Sequence, residues 1–123
     1  EEDEFDRVFN VNCKSVYLTA KHFVPHFKEN KSGVILNIAS TAGVSPRPNL
    51  NWYNSSKGWM ILASKTMAVE LAPFGIRVNV VNPVAGETPL LKSFLPHLYS
   101  HRTNIKTKLV ILSLAHSAIC FHF

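Results

Sequence analysis

The stretch GVILNIAS, residues 33–40, decides the fold. Val34, Ile35, Leu36 and Ile38 form a short apolar run between Gly33 and a polar loop that opens at Ser40. A run of that length, bounded by turn residues, reads as a buried strand of a parallel sheet. A second run, IRVNVV at 76–81, reads the same way. Between them, STAGVSPRPNLN at 40–51 is a loop rich in Ser, Pro and Asn. Residues 52 to about 72 predict a long helix, with Leu62, Lys65, Met67 and Ala68 as good helix formers. Pro73 and Gly75 end it. Upstream, Phe5, Val8, Phe9, Asn12, Val16 and Ala20 recur at three- and four-residue spacing, which predicts a helix from Phe5 to about Phe27. Acids at its start and His22, His26 and Lys28 near its end suit the helix dipole. Pro25 is expected to bend or end it. The order helix, strand, loop, helix, strand, loop predicts an α/β fold in which helices cover a parallel sheet. The loops at 40–51 and 82–89 both follow strands. Both therefore fall on the carboxyl edge, where such sheets bind ligands.

The 123 residues are 46% hydrophobic and 17% charged, which fits a globular chain with a modest core. The net charge of +5 is unevenly spread. Residues 1–91 carry nine basic and eight acidic side chains, whereas Lys92, Arg102, Lys106 and Lys108 stand in a tail without acids. The basicity belongs to that tail and no aromatic–basic interleaving accompanies it, so no nucleic-acid partner is expected. Cys13 and Cys120 lie far apart with no CxxC, which suggests neither a zinc site nor a disulfide framework. That usage suits a reducing compartment, and the expected location is cytoplasmic. LVILSLAHSAICFHF, 109–123, is too short and too interrupted by His116 and His122 for a membrane span. His22 with His26, and His97 with His101, have i, i+4 spacing but no evident third ligand, so no metal site is expected. The chain opens on EEDEFD, with neither an initiating methionine nor a signal peptide, and reads as a fragment or an interior start. Without a secretory signal, the sequons at Asn30 and Asn54 are discounted.

WYNSSKGWM, 52–60, raises the chemical question. Tyr53 and Lys57 are four residues apart on a helix and share a face. An ammonium beside a phenol favours the phenolate. A phenol so placed can give a proton to a carbonyl oxygen or take one from an alcohol. Ser40, thirteen residues earlier, opens the loop at the same sheet edge and can hydrogen-bond the same substrate oxygen. Asn12 faces inward on the first helix, where a polar group needs a partner; a water there would link Lys57 to solvent. The bland alternatives are a solvated helix pair for Tyr53 and Lys57, a loop cap for Ser40 and a satisfied core amide for Asn12.

Asn12, Ser40 and Tyr53-x-x-x-Lys57 together resemble the classical short-chain dehydrogenase/reductase family. The flanking strings resemble it too: VNCKSVYLTAK around Asn12, GVILNIASTAG around Ser40, and LAPFGIRVNVVNP after the second helix. The resemblance covers about residues 5–91. It implies an oxidoreductase that interconverts a carbonyl and an alcohol with NAD or NADP. Its implied catalytic set is Tyr53 as general acid/base, Lys57 to tune it and bond the nicotinamide ribose, Ser40 to orient the carbonyl, and Asn12 to support a proton-relay water. It also implies cofactor contacts from the loop that reads Pro83, Val84, Ala85, Gly86, Glu87, Thr88. Thr88 matches the family pattern and would contact the carboxamide or phosphates; Gly86 would offer backbone. Val84 stands where the family has glycine, and Gly86 where it has an aliphatic residue. The two long helices pair across a subunit interface in the family, which implies a homodimer or homotetramer.

No Gly-rich TGxxxGxG-like run occurs in the sequence. The expected fold is therefore part of a Rossmann-type doubly wound parallel sheet that lacks the amino-terminal βαβ units. The expected domains are 1–92, the catalytic part of that sheet, and 93–123, a tail that does not resemble the family. Two further readings stand beside the enzyme. One is a non-catalytic fragment that cannot bind dinucleotide and serves at most to pair helices. The other is an epimerase or dehydratase of the extended branch, which shares YxxxK; the short spacing from NIAS to YxxxK and the IRVNVVNP string argue against it.

Overall fold

The acids Glu2, Asp3 and Glu4 open helix α1, Glu2–Phe9, at the end where the helix dipole favours negative charge. The fold was obtained as a computed structural model, which describes residues 1–85 and 108–112. The helical path continues from α1 through a π turn, Asn10–Lys14, into α2, Ser15–Glu29. The helix predicted for 5–27 therefore starts earlier, ends later and contains one widened turn. A π turn takes up an extra residue and shifts the faces on either side of it. Val11 is thereby left exposed and Cys13 buried. Pro25, expected to bend or end the helix, sits inside it. Proline removes the bond to the carbonyl four residues back, but Pro25 and Lys21 both lie on the exposed side, open to solvent.

A turn with Lys31 in the left-handed region, φ 49°, leads into strand β1, Gly33–Ile38. A 3₁₀ turn at Thr41–Gly43 follows, then helix α3, Asn51–Leu71. Ala72–Phe74 tightens the end of α3 into a 3₁₀ turn, and Gly75, at φ 70°, reverses the chain into strand β2, Ile76–Ala85. Strand β3, Lys108–Leu112, completes a sheet of order β1–β2–β3. β1 and β2 run parallel, in register from Gly33 opposite Ile76 to Ile38 opposite Val81. β3 runs antiparallel to β2, with Val80 opposite Leu112 and a register shift between Pro83 and Ala85. β2 outlasts the predicted 76–81 strand, so Pro83, expected in a loop, lies in the ladder. The irregularity beside it is where a strand proline, lacking an N–H, is tolerated.

The parallel pair packs its inner face on α3 and α2. Ile76, Val78 and Val80 are fully buried there. One cluster joins Leu71, Ile76 and Val78 with Val24, Phe27, Ile35, Met67 and Ala68. A second joins Ala39, Met60, Ile61 and Val80 with Val16, directly under the carboxyl edge. Each such aliphatic side chain contributes roughly 1.5–3 kcal/mol when fully buried. α1 docks on the start of α3 through Phe5, which stacks on Phe9 at 4.5 Å and meets Trp52 edge-on at 5.3 Å. The expectation that β1 is buried is met in part: the face of Ile35 and Asn37 is half-buried. Val34, Leu36 and Ile38, on the other face, are 54, 56 and 53% exposed, because no described element covers them. Among the described residues no helix is long and apolar enough to cross a membrane.

Gly75 fixes the end of α3 twice over. Its φ disfavours any side chain, and a Cβ there would lie 2.5 Å from the Lys31 carbonyl oxygen. Gly75→Ala is expected to cost at least about 2 kcal/mol through strain and displacement of the 31–33 turn. Urea unfolding checks this; a midpoint equal to wild type contradicts it.

Candidate active site

Tyr53 and Lys57 stand on the first two turns of α3, Asn12 bonds to those turns, and the loop that Ser40 opens packs on them. Ser40 follows β1 in extended conformation, φ −168°, and its Oγ accepts from the Ala42 N–H at 3.1 Å. The hydroxyl thus caps the 3₁₀ turn, the bland role weighed for it, and still has its own hydrogen to donate. The loop it opens is drawn onto α3 by two glycines. A Cβ on Gly43 would fall 2.7 Å from the Lys57 carbonyl carbon and 2.7 Å from the Gly58 nitrogen. Backbone therefore packs on backbone between Ser40's loop and the Lys57–Gly58 turn. The same loop is tied to the end of β2. Thr41 Oγ1 donates to the Pro83 carbonyl at 3.4 Å, and Arg47 Nη2 to the Val84 carbonyl at 3.1 Å. Asn54, buried on α3, donates to the Arg47 carbonyl at 2.8 Å.

Lys57 Nζ donates to the Ile38 carbonyl at 3.1 Å, which pins the ammonium to the last residue of β1, two positions before Ser40. It lies 5.8 Å from the centroid of the Tyr53 ring, one helical turn back. Burial pushes the Lys57 ammonium below its ordinary value of 10.5, and the neighbouring Cys13 pulls the other way. Burial raises the Cys13 thiol, with Lys57 opposing. Asn12 lies in the π turn and donates its amide to Ser56 Oγ at 2.9 Å. It therefore meets α3 at the residue beside Lys57, and the partner expected for it is a serine hydroxyl. Asn12, Ser40, Tyr53 and Lys57 are all half-buried. Pro83 stands on β2 beside this edge. Gly86 and Thr88 lie outside the described residues.

Several contributors carried no signal in the sequence reading. Ser56 is fully buried and links Asn12 to α3. The Gly43–Gly58 approach is legible only as two unexplained glycines. Asn82, fully buried at the end of β2, has no hydrogen-bond partner for either amide atom among the described residues. They give no account of it. No group of His, Cys, Asp and Glu suited to a metal ion occurs among the described residues.

This arrangement places a phenol, a partly desolvated ammonium and a serine hydroxyl at the carboxyl edge of a parallel strand pair. The family model for short chain dehydrogenase matches residues 1–98. The chain belongs to the short-chain dehydrogenase family. It is 52% identical over 94 residues to the 4-formylbenzenesulfonate dehydrogenase of Comamonas testosteroni, which covers 76% of this chain and 37% of that protein. Among solved structures, a 3-ketoacyl-(acyl-carrier-protein) reductase of Brucella melitensis complexed with NADH is 54% identical with a TM-score of 0.75, over 78% of this chain and 41% of that one. A gluconate 5-dehydrogenase from Burkholderia cenocepacia, in complex with NADP and tartrate, is 28% identical with a TM-score of 0.74, over 77% and 37%. The chain thus spans little more than a third of the length of these family members.

Two outcomes follow from the geometry. Gly43→Ala is expected to cost about 1–3 kcal/mol by overpacking against α3 backbone. Gly58→Ala, whose Cβ would meet only the Gly43 oxygen at 3.3 Å, costs less. Paired urea midpoints check the order, and equal midpoints contradict it. Lys57 gives a pH signature. Its folded value lies below the unfolded 10.5, so the charged form costs stability below the folded value. That cost fades as pH rises through the window up to 10.5. The midpoint of wild type relative to Lys57→Met is therefore expected to rise as pH climbs towards 10.5 from below; a flat or falling difference contradicts it.

Proposed function

We propose that this chain carries the proton-transfer half of an NAD- or NADP-dependent oxidoreductase that interconverts a carbonyl and an alcohol on a small-molecule substrate. The observation that carries the reading is the placement of Lys57, bonded to the Ile38 carbonyl and 5.8 Å from the Tyr53 ring, beside the loop of Ser40. Tyr53 is the general acid in reduction and the general base in oxidation, exchanging a proton at the substrate oxygen. Ser40 donates a hydrogen bond to the same oxygen and steadies the charge that develops on it. Lys57 has three donors, of which the Ile38 carbonyl takes one. The remainder suit the hydroxyls of a ribose, so the described residues fit the nicotinamide-ribose end of a dinucleotide. Pro83, with Gly86 and Thr88 beyond the described residues, is the proposed remainder of the cofactor contact. When bound, the nicotinamide supplies or accepts hydride. No glycine-rich turn suited to a pyrophosphate lies among the described residues.

The proposed division places the catalytic unit in residues 1–92, with 93–123 as a tail of which Lys108–Leu112 adds strand β3 to the same sheet. The exposed apolar side chains Tyr17, Trp59, Leu62 and Val69 on α2 and α3 support pairing of these helices in a homodimer or homotetramer. A second reading, a non-catalytic helix-pairing module unable to hold a dinucleotide, is favoured by the uncovered face of Val34, Leu36 and Ile38.

Titrating the 123-residue chain with NADH and with NADPH, followed by nicotinamide fluorescence, separates the two. Saturable binding that is lost in Lys57→Ala supports the oxidoreductase. Where turnover of a carbonyl is then measured, Tyr53→Phe is expected to lower it at least about 10²-fold while binding persists. A folded chain that binds neither nucleotide up to millimolar levels supports the helix-pairing module.

A further inference from the structure

Ser56 has zero exposure, and its hydroxyl both accepts and donates a hydrogen bond. Its Oγ accepts from Asn12 Nδ2 at 2.9 Å and donates to the Tyr53 carbonyl at 2.8 Å. A serine that bonds a carbonyl three residues back in its own helix is a common local arrangement. The difference here is the second bond, which comes from another element 44 residues away in sequence. The π turn makes this possible. By widening the helix at Asn10–Lys14 it presents Asn12 and Cys13 together to α3, and Cys13 Sγ approaches the Ser56 carbonyl at 3.8 Å. The next residues of α3 are held by Gly43, whose Cβ position lies against the Lys57 and Gly58 backbone. The segment from Tyr53 to Gly58 is therefore held by two other elements, the π turn through Ser56 and the loop after β1 through Gly43.

We propose that Ser56 is a positioning residue: it transmits Asn12's hydrogen bond to the turn that carries Tyr53 and Lys57, so that Asn12 acts on the site through Ser56. As a role in catalysis this rests on the oxidoreductase reading above. The linkage itself does not. A hydroxyl is required because the position must accept and donate at once with its side chain closed off from solvent. Alanine does neither, and cysteine fills the volume but is weak at both.

The test is amide hydrogen exchange across residues 53–60 in the 123-residue chain, with the β1 and β2 amides as internal reference. Wild type is compared with Asn12→Ala, Ser56→Ala, Ser56→Cys and the Asn12→Ala/Ser56→Ala double variant. Each single variant is expected to speed exchange of this segment about five- to tenfold relative to the strands, the effect of one lost net hydrogen bond. The double variant is expected to go no further than the stronger single one. Wild-type exchange in Ser56→Cys, or additive effects of the two alanines, overturns the proposal. Exchange needs no nucleotide, so the linkage is decided even if the chain binds none. Where turnover is present, Ser56→Ala and Asn12→Ala are each expected to lower kcat about tenfold at unchanged KM, and the double variant equally. A rise in KM at constant kcat, or multiplying losses, overturns the positioning role.

Discussion

Everything in the site depends on how closely α3 approaches its neighbours. Beside its apolar contacts with the sheet, the helix meets β1, the π turn and the loop after β1 with serines and a glycine. Ser56 and Ser64 are fully buried and Gly58 lies against Gly43. Close approach buries polar groups, and buried polar groups must be paired. The two serines solve this in the same way. Ser56 accepts from Asn12 and donates to the Tyr53 carbonyl; Ser64 accepts from Asn37 at 2.8 Å and donates to the Met60 carbonyl at 2.8 Å. Each ties α3 to a different element, one to the first helix and one to β1. The helix is thereby fixed in position along the sheet, and with it the heights of Tyr53 and Lys57 above the carboxyl edge.

That placement sets the electrostatics. Lys57 reaches the Ile38 carbonyl because the backbone contact at Gly43 holds loop and helix together. It loses water in doing so, and burial lowers its affinity for the proton. Cys13, brought alongside by the π turn, is shifted in the opposite direction by its own burial. A single packing constraint therefore reaches from glycine backbone to the charge of the residue that faces the proposed ribose.

The architecture was legible where pattern and breaker agreed. GVILNIA and IRVNVV announced the parallel pair, and Pro73 with Gly75 announced the end of α3. Tyr53 and Lys57 were readable because helical spacing puts them on one face. The π turn was not readable, since the three- and four-residue recurrence of Phe5 through Ala20 carries no mark of one extra residue. Nor was the passage of α2 through Pro25, which depends on the exposed side on which the lost bond falls. Ser56 carried no signal, because its bond from Asn12 exists only once a distant part of the chain arrives. The length of β2 past Asn82 depends on pairing with β3, a contact between segments that local sequence does not encode.

The central claim is that the Tyr53–Gly58 turn, held by Gly43 and Ser56, is one half of a nicotinamide site. A crystal structure of the chain grown with NADH or NADPH tests it most directly. The account predicts ribose hydroxyls against Lys57 Nζ and the Tyr53 hydroxyl, with the Gly43 contact and the Asn12–Ser56 bond intact. A dinucleotide bound away from Lys57, or a Tyr53–Gly58 turn released from Gly43 and Ser56, contradicts it.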